Sequence, residues 1–145
     1  MKRRSFVWAC AVLSLLSAGC ATTLATPGSE DRVVYHFSEG LEQASDGLRN
    51  VGNHLEVNPN ARIIVVSHAK GVDFMLKGAK DKNGNKYEDL VEQLEMQGVR
   101  FDVCQITLRN RHLSKDQFIE YATFVPSGVA EISKLEHEGY AYLKP

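Results

Sequence analysis

One residue type in this chain is both a strong nucleophile and a sulfur atom, and one such residue sits where chemistry is expected. Cys104 lies in Arg100-Phe-Asp-Val-Cys-Gln-Ile-Thr-Leu108, where an alternating apolar stretch gives way to a segment able to open a helix. Open α/β sheets place their ligand sites at such junctions. A free thiol ionises near pH 8.5, and a helix N-terminus or a nearby cation lowers that value. Cys104 has the prospect of both, because Arg109, Arg111 and His112 follow it closely. The plainer reading of a lone cysteine at a strand end is a small buried hydrophobe.

The surrounding sequence alternates strand-like and helix-like segments. Arg32–Phe37 is β-branched and aromatic, and Leu41, Ala44, Leu48, Val51 and Leu55 then recur at helical spacing. Ala61–Val66 is a nearly continuous apolar run, as a strand covered on both faces requires. A short stripe of Val72, Met75, Leu76 and Ala79 is broken by turn residues at 81–85. The spacing predicts a helix from about Tyr87, ended by a left-handed Gly98, and a third strand over Val99–Val103. Ser114 and Gln117 have capping-box spacing, which predicts a short helix through about Tyr121. Ala122–Val125 reads as a fourth strand, Val129, Ile132 and Leu135 as the buried face of a last helix, and Tyr140–Leu143 as the closing strand. Strands separated by helices imply right-handed crossovers with helices on both faces. The expected fold is a flavodoxin-like three-layer α/β/α domain with a mainly parallel five-stranded sheet.

In such a sheet the strand ends share one edge. His36 and Ser38, Ser67 and His68, Cys104, and Ser127 with Gly128 would meet there. His68 could orient the thiol or bind an anion, or simply hydrogen-bond its own turn; His36 could equally be a half-buried strand residue. Backbone amides after His68 and Ser127 would favour a small anion. The histidines show no metal-ligand spacing. Gly71 and Gly78 match neither a dinucleotide fingerprint nor a phosphate loop, so no cofactor is expected.

Asp31-Arg-Val-Val-Tyr-His-Phe37, Val65-Val-Ser-His-Ala-Lys-Gly-Val72, Gly98-Val-Arg-Phe-Asp-Val-Cys-Gln-Ile-Thr-Leu108 and Val125-Pro-Ser-Gly-Val129 resemble the DsrE/DsrF-like family, particularly its small single-domain members. The likeness spans essentially all of residues 32–145. It implies a flavodoxin-like fold, assembly as a trimer or hexamer, and a cysteine that carries persulfide sulfur; the matching position is Cys104. The characterised members work in the cytoplasm with dedicated partners, so their substrates are not carried across.

The N-terminus points elsewhere. Met1-Lys-Arg-Arg4, the apolar run Phe6–Leu16 and the small residues before Cys20 form a secretory signal, too short to span a bilayer. Leu16-Ser-Ala-Gly-Cys20 resembles a lipoprotein lipobox, with Ser17 where the family usually has Leu. It implies a signal over 1–19, lipidation of Cys20, a flexible tether over 20–31 and a domain over 32–145, on the periplasmic side of the envelope. Ala21 resembles the outer-membrane sorting signal. The alternative is cleavage after Ala25, which releases a soluble periplasmic protein.

Loss of residues 1–19 removes Lys2, Arg3 and Arg4 but no acid, leaving 14 basic against 18 acidic side chains. A charge of about −4 supplies no footprint for nucleic acid and no polybasic patch for anionic lipid, so the lipid anchor would be the only membrane contact. Cys104 would have no intrachain partner, which excludes a disulfide scaffold.

Two functions follow. In one, Cys104 accepts sulfane sulfur as a persulfide and hands it to an acceptor protein. In the other, the domain is a non-catalytic, lipid-tethered oligomeric binding module for a small anion or a partner. A redox-sensing cysteine ranks below both, because no resolving cysteine is present.

Overall fold

The computed structural model describes residues 30–145. The signal segment, Cys20, the alternative cleavage point at Ala25 and the tether through residue 29 lie outside the described residues. Five strands, β1 (Arg32–Phe37), β2 (Arg62–Ser67), β3 (Arg100–Cys104), β4 (Ala122–Val125) and β5 (Ala141–Leu143), form one sheet in the order β4-β3-β2-β1-β5. Every neighbouring pair is parallel. Four α-helices connect them: α1 (Leu41–Val57), α2 (Tyr87–Glu95), α3 (Gln105–Arg111) and α4 (Gly128–His137).

The period of two along the strands divides the core. Val33, Tyr35 and Phe37, with Ile63, Val65, Phe101 and Val103, meet Leu48 and Val51 of α1 and Val91 and Leu94 of α2. On the other face Val34, Ile64 and Val66 meet Ile132 and Leu135 of α4. Burial of each such side chain contributes about 1.5–3 kcal/mol. The two faces follow from connection order. From β1 to β4 the chain steps steadily across the sheet, and β5 then joins the far side of β1. Reversing the direction of travel while keeping the hand of the crossover moves the connecting helix to the opposite face. The result is the flavodoxin-like, three-layer arrangement, with all strand C-termini along one edge.

Several details differ from the sequence expectation. The sheet is wholly parallel. His36 and Cys104 sit within β1 and β3 rather than after them, and Ser67 is the last residue of β2. The stripe at Val72 is a 3₁₀ segment, Ala69–Met75. At the capping box, Gln117 Oε1 accepts from the Ser114 amide at 2.9 Å, but only one 3₁₀ turn follows, Lys115–Gln117. Phe118 and Ile119 then run extended into the core, with Ile119 N–H donating to the Met75 carbonyl at 3.0 Å. Their burial outweighs continuation of the helix. Val129, expected inside, is 63% exposed. Gly98 does end the α2 region with φ +92°.

The 3₁₀ segment lies against the end of β1 so closely that a Cβ on Gly71 would stand 2.2 Å from the Phe37 carbonyl oxygen. Gly71→Ala is therefore expected to destabilise the domain by about 2 kcal/mol or more. Gly52→Ala, at an open position within α1, should instead stabilise it by about 0.5–1 kcal/mol. Urea denaturation of both variants checks the pair.

Candidate functional site

The edge formed by the strand C-termini holds a cleft of about 510 Å³, walled by His68, Lys70, Cys104, Thr107, Ser127 and Val129. Cys104 is 4% exposed and ends β3, with α3 beginning at the next residue. Burial alone pushes its thiol up. The backbone amides of Gly128, Thr107 and Ile106, together with the Thr107 hydroxyl, lie around the sulfur and bring its ionisation below the ordinary value. The thiolate is thus favoured by aligned N–H and O–H donors rather than by a cation. Arg109 and Arg111, the cations suggested by the sequence, lie in the last turn of α3. Arg111 is held by Asp73 at 2.6 Å and by the Ala69 carbonyl at 2.9 Å.

Thr107 serves two neighbours. Its Oγ1 accepts from the Ala69 amide at 2.8 Å, which leaves its own proton for the sulfur. Ala69 has φ +50°, a left-handed conformation that a residue with a Cβ adopts at a cost of order 1 kcal/mol. The Thr107 and Arg111 contacts on its amide and carbonyl hold it there. Gly128 fits between strand ends: a Cβ at that position would lie 3.2 Å from the Cβ atoms of both Cys104 and His68. A glycine here lets the start of α4 approach the sulfur. Ser127, the residue before α4, accepts from Ala130 N–H at 3.3 Å.

His68 forms another wall, backed by His36. Their Nε2 atoms are 2.6 Å apart, their rings stack with centroids 4.8 Å apart, and His36 Nδ1 is 2.7 Å from the Tyr142 hydroxyl on β5. Burial lowers the ionisation of both imidazoles below the ordinary value. Mutual repulsion and Lys144 lower His36 further, against an opposing pull from Glu39, and Lys144 also lowers His68. Lys144 itself is paired with Glu39.

The structure therefore brings Cys104, His68, Ser127 and Gly128 together, with His36 behind His68. Ser67 is differently placed: its hydroxyl is buried and donates to the Asp102 carbonyl at 3.1 Å, joining β2 to β3. Sequence reasoning did not single out Thr107, Ala69 or Tyr142. The Cys-x-x-Thr spacing was a usable signal, since a residue three on from the start of a helix faces its first turn. No group of three or more His, Cys, Asp or Glu side chains among the described residues could hold a metal. A larger depression of about 680 Å³, between α1 and the turn at 81–85, contains no cysteine or histidine.

Alkylation of Cys104 by iodoacetamide should rise with pH about a midpoint below that of an ordinary free thiol. Thr107→Val, which removes a donor to the thiolate, should move that midpoint upward. The histidines give a second expectation. Because their folded-state values are depressed, the unfolded chain binds protons first, so stability is intact above about pH 6.5 and falls as pH drops through that value. Thermal unfolding between pH 7.5 and 5 checks this, and His36→Asn should flatten the slope.

The family model described as DsrE/DsrF-like matches residues 22–145. A search of curated proteins finds no match. Among solved structures, MTH1491, a protein of unknown function from Methanobacterium thermoautotrophicum, is 33% identical over 80% of this chain and 100% of its own, with a TM-score of 0.72. The ychN protein from E. coli is 18% identical over 79% of this chain and 99% of its own, with a TM-score of 0.68, and speaks for the fold alone. The family match and the shared architecture agree: the chain belongs to the DsrE/DsrF-like family, which is associated with sulfur relay.

Proposed function

We propose that this domain is a sulfur carrier in which Cys104 accepts sulfane sulfur as a persulfide and passes it to an acceptor protein. The observation that carries this reading is the set of donors around one sulfur: Cys104 lines an open cleft with Ile106 and Thr107, Gly128 is close against it, and their amides and the Thr107 hydroxyl favour its thiolate. An anionic sulfur is favoured there without any resident cofactor. In loading, the Cys104 thiolate attacks the outer sulfur of a donor R–S–SH. A new S–S bond forms, the old one breaks, and its electron pair leaves with RS⁻. Unloading repeats the exchange with an acceptor thiolate, so the cycle needs no net oxidant or reductant.

On the export reading of the N-terminus, this relay works on the periplasmic side of the envelope, held by lipid on Cys20, with the outer membrane as its site. Assembly as a trimer or hexamer, the family's habit, belongs to the same proposal and is read by light scattering. The competing reading, a binding module with an inert thiol, draws on the low exposure of Cys104.

Intact-mass measurement decides between them. Residues 30–145 and the Cys104→Ser variant are exposed anaerobically to polysulfide and weighed. Gain of one or more whole sulfur atoms (about 32 Da each) by the unsubstituted protein alone is the expected result. A thiol that stays unmodified, and resists alkylation until the protein unfolds, would sink the relay and leave the binding module.

A further inference from the structure

The two histidines share a proton. With Nε2 atoms 2.6 Å apart, one ring must donate to the other, and His36 Nδ1 continues the line to the Tyr142 hydroxyl at 2.7 Å. Two arrangements satisfy both contacts: His68 Nε2–H donates to His36 Nε2 and His36 Nδ1–H to Tyr142, or the Tyr142 hydroxyl donates to His36 Nδ1 and His36 Nε2–H to His68 Nε2. The first leaves His68 Nδ1 unprotonated and the second protonates it, and that nitrogen has no protein partner among the described residues. His68 lines the cleft together with Cys104, and the other end of the chain, Tyr142, is 41% exposed on the edge strand. A hydrogen-bonded line thus runs from the cleft through the body of the site to solvent.

We propose that His68, His36 and Tyr142 form a proton relay for sulfur exchange at Cys104, with His68 as the group facing the reacting sulfurs and His36 and Tyr142 as positioning residues. The proposal rests on the sulfur-carrier reading and adds to it the route of the proton. The balanced reaction is Cys104–SH plus R–S–SH giving Cys104–S–SH plus R–SH. The thiol proton must leave before attack, and a proton must reach RS⁻ as it departs. His68 Nδ1 takes the first proton while its Nε2 proton shifts to His36 Nε2, the His36 Nδ1 proton to the Tyr142 oxygen, and the Tyr142 hydroxyl proton to water. The reverse shift returns a proton to the leaving alkylthiolate. A weak acid such as an alkyl thiol leaves poorly as the anion, so this delivery matters most for alkyl donors.

The charges around the pair suit the task. Lys144 and Glu39 face His36, Lys144 acts on His68, and Lys70 stands in the cleft wall. The rings are held largely neutral near pH 7, able to take a proton and release it. The hydrogen bond of His36 to Tyr142 also pins β5, so a purely structural role is the reading to be separated from this one.

Leaving-group dependence separates them. Cys104 is reacted at a pH above its measured alkylation midpoint, where the thiolate is already formed, with two probes, N-acetylcysteine persulfide, whose thiolate needs a proton, and an aromatic disulfide, whose thiolate leaves without one. Tyr142→Phe and His36→Asn are expected to slow the first reaction by about tenfold, a typical general-acid contribution at its lower end, while the control reaction stays within about twofold. His68→Gly should lose the alkyl reaction more fully and regain it on addition of imidazole. Equal slowing of both probes in every variant, or no slowing of the alkyl probe, overturns the relay. Failure of the unsubstituted protein to take sulfur from the alkyl donor, with the aromatic disulfide still reactive, would instead overturn the sulfur-carrier reading beneath it.

Discussion

The amino end of α4 comes down onto the tips of β2 and β3 at a point where a side chain would crowd both strands. A Cβ on Gly128 would press on Cys104 and His68 together, and the amide that this closeness delivers is one of the donors on the sulfur. Everything at the site depends on that approach. It needs α4 on the face opposite α1, which the reversal in strand order enforces. It also needs a pin below, supplied by the Arg100 guanidinium on β3, which contacts Asp102 at 2.8 Å and Glu131 of α4 at 3.2 Å.

That pin is an expensive one. Asp102 is wholly buried, and burial raises its carboxyl despite the paired guanidinium. Replacing such a pair with apolar residues is often neutral or stabilising. An apolar contact, however, would permit α4 to slide, whereas a forked guanidinium held by carboxylates on strand and helix fixes one seating. The small apolar cluster on this face, Val34, Ile64, Val66, Ile132 and Leu135, supplies attraction with little directional content.

Much of this was legible in the residues. The alternation from Val33 to Phe37 and the run from Ile63 to Val66 foretold strands, and the stripe Ala44, Leu48, Val51, Leu55 foretold α1, because burial on defined faces imposes those periods. The convergence of His68, Cys104 and Gly128 followed from the rule for parallel sheets. What escaped was contact-level. Ser67 looks like a site hydroxyl in sequence, yet its position in β2 turns it to the Asp102 carbonyl. Tyr142 is 106 positions from His36, a separation no local pattern reports. Val129 obeys the helical spacing of Ile132 and Leu135 but lies at the open mouth of the cleft, where the sheet beneath has ended.

The parallel sheet has a directional consequence. All five strands start at one edge and finish at the other, so the chain enters β1 at Arg32 on the side away from the sulfur. A six-residue strand spans about 20 Å at roughly 3.3 Å per residue. The edge that carries Cys104 therefore lies a full strand's length across the sheet from the point where the chain enters it, so whatever meets the sulfur approaches from the side opposite that entry.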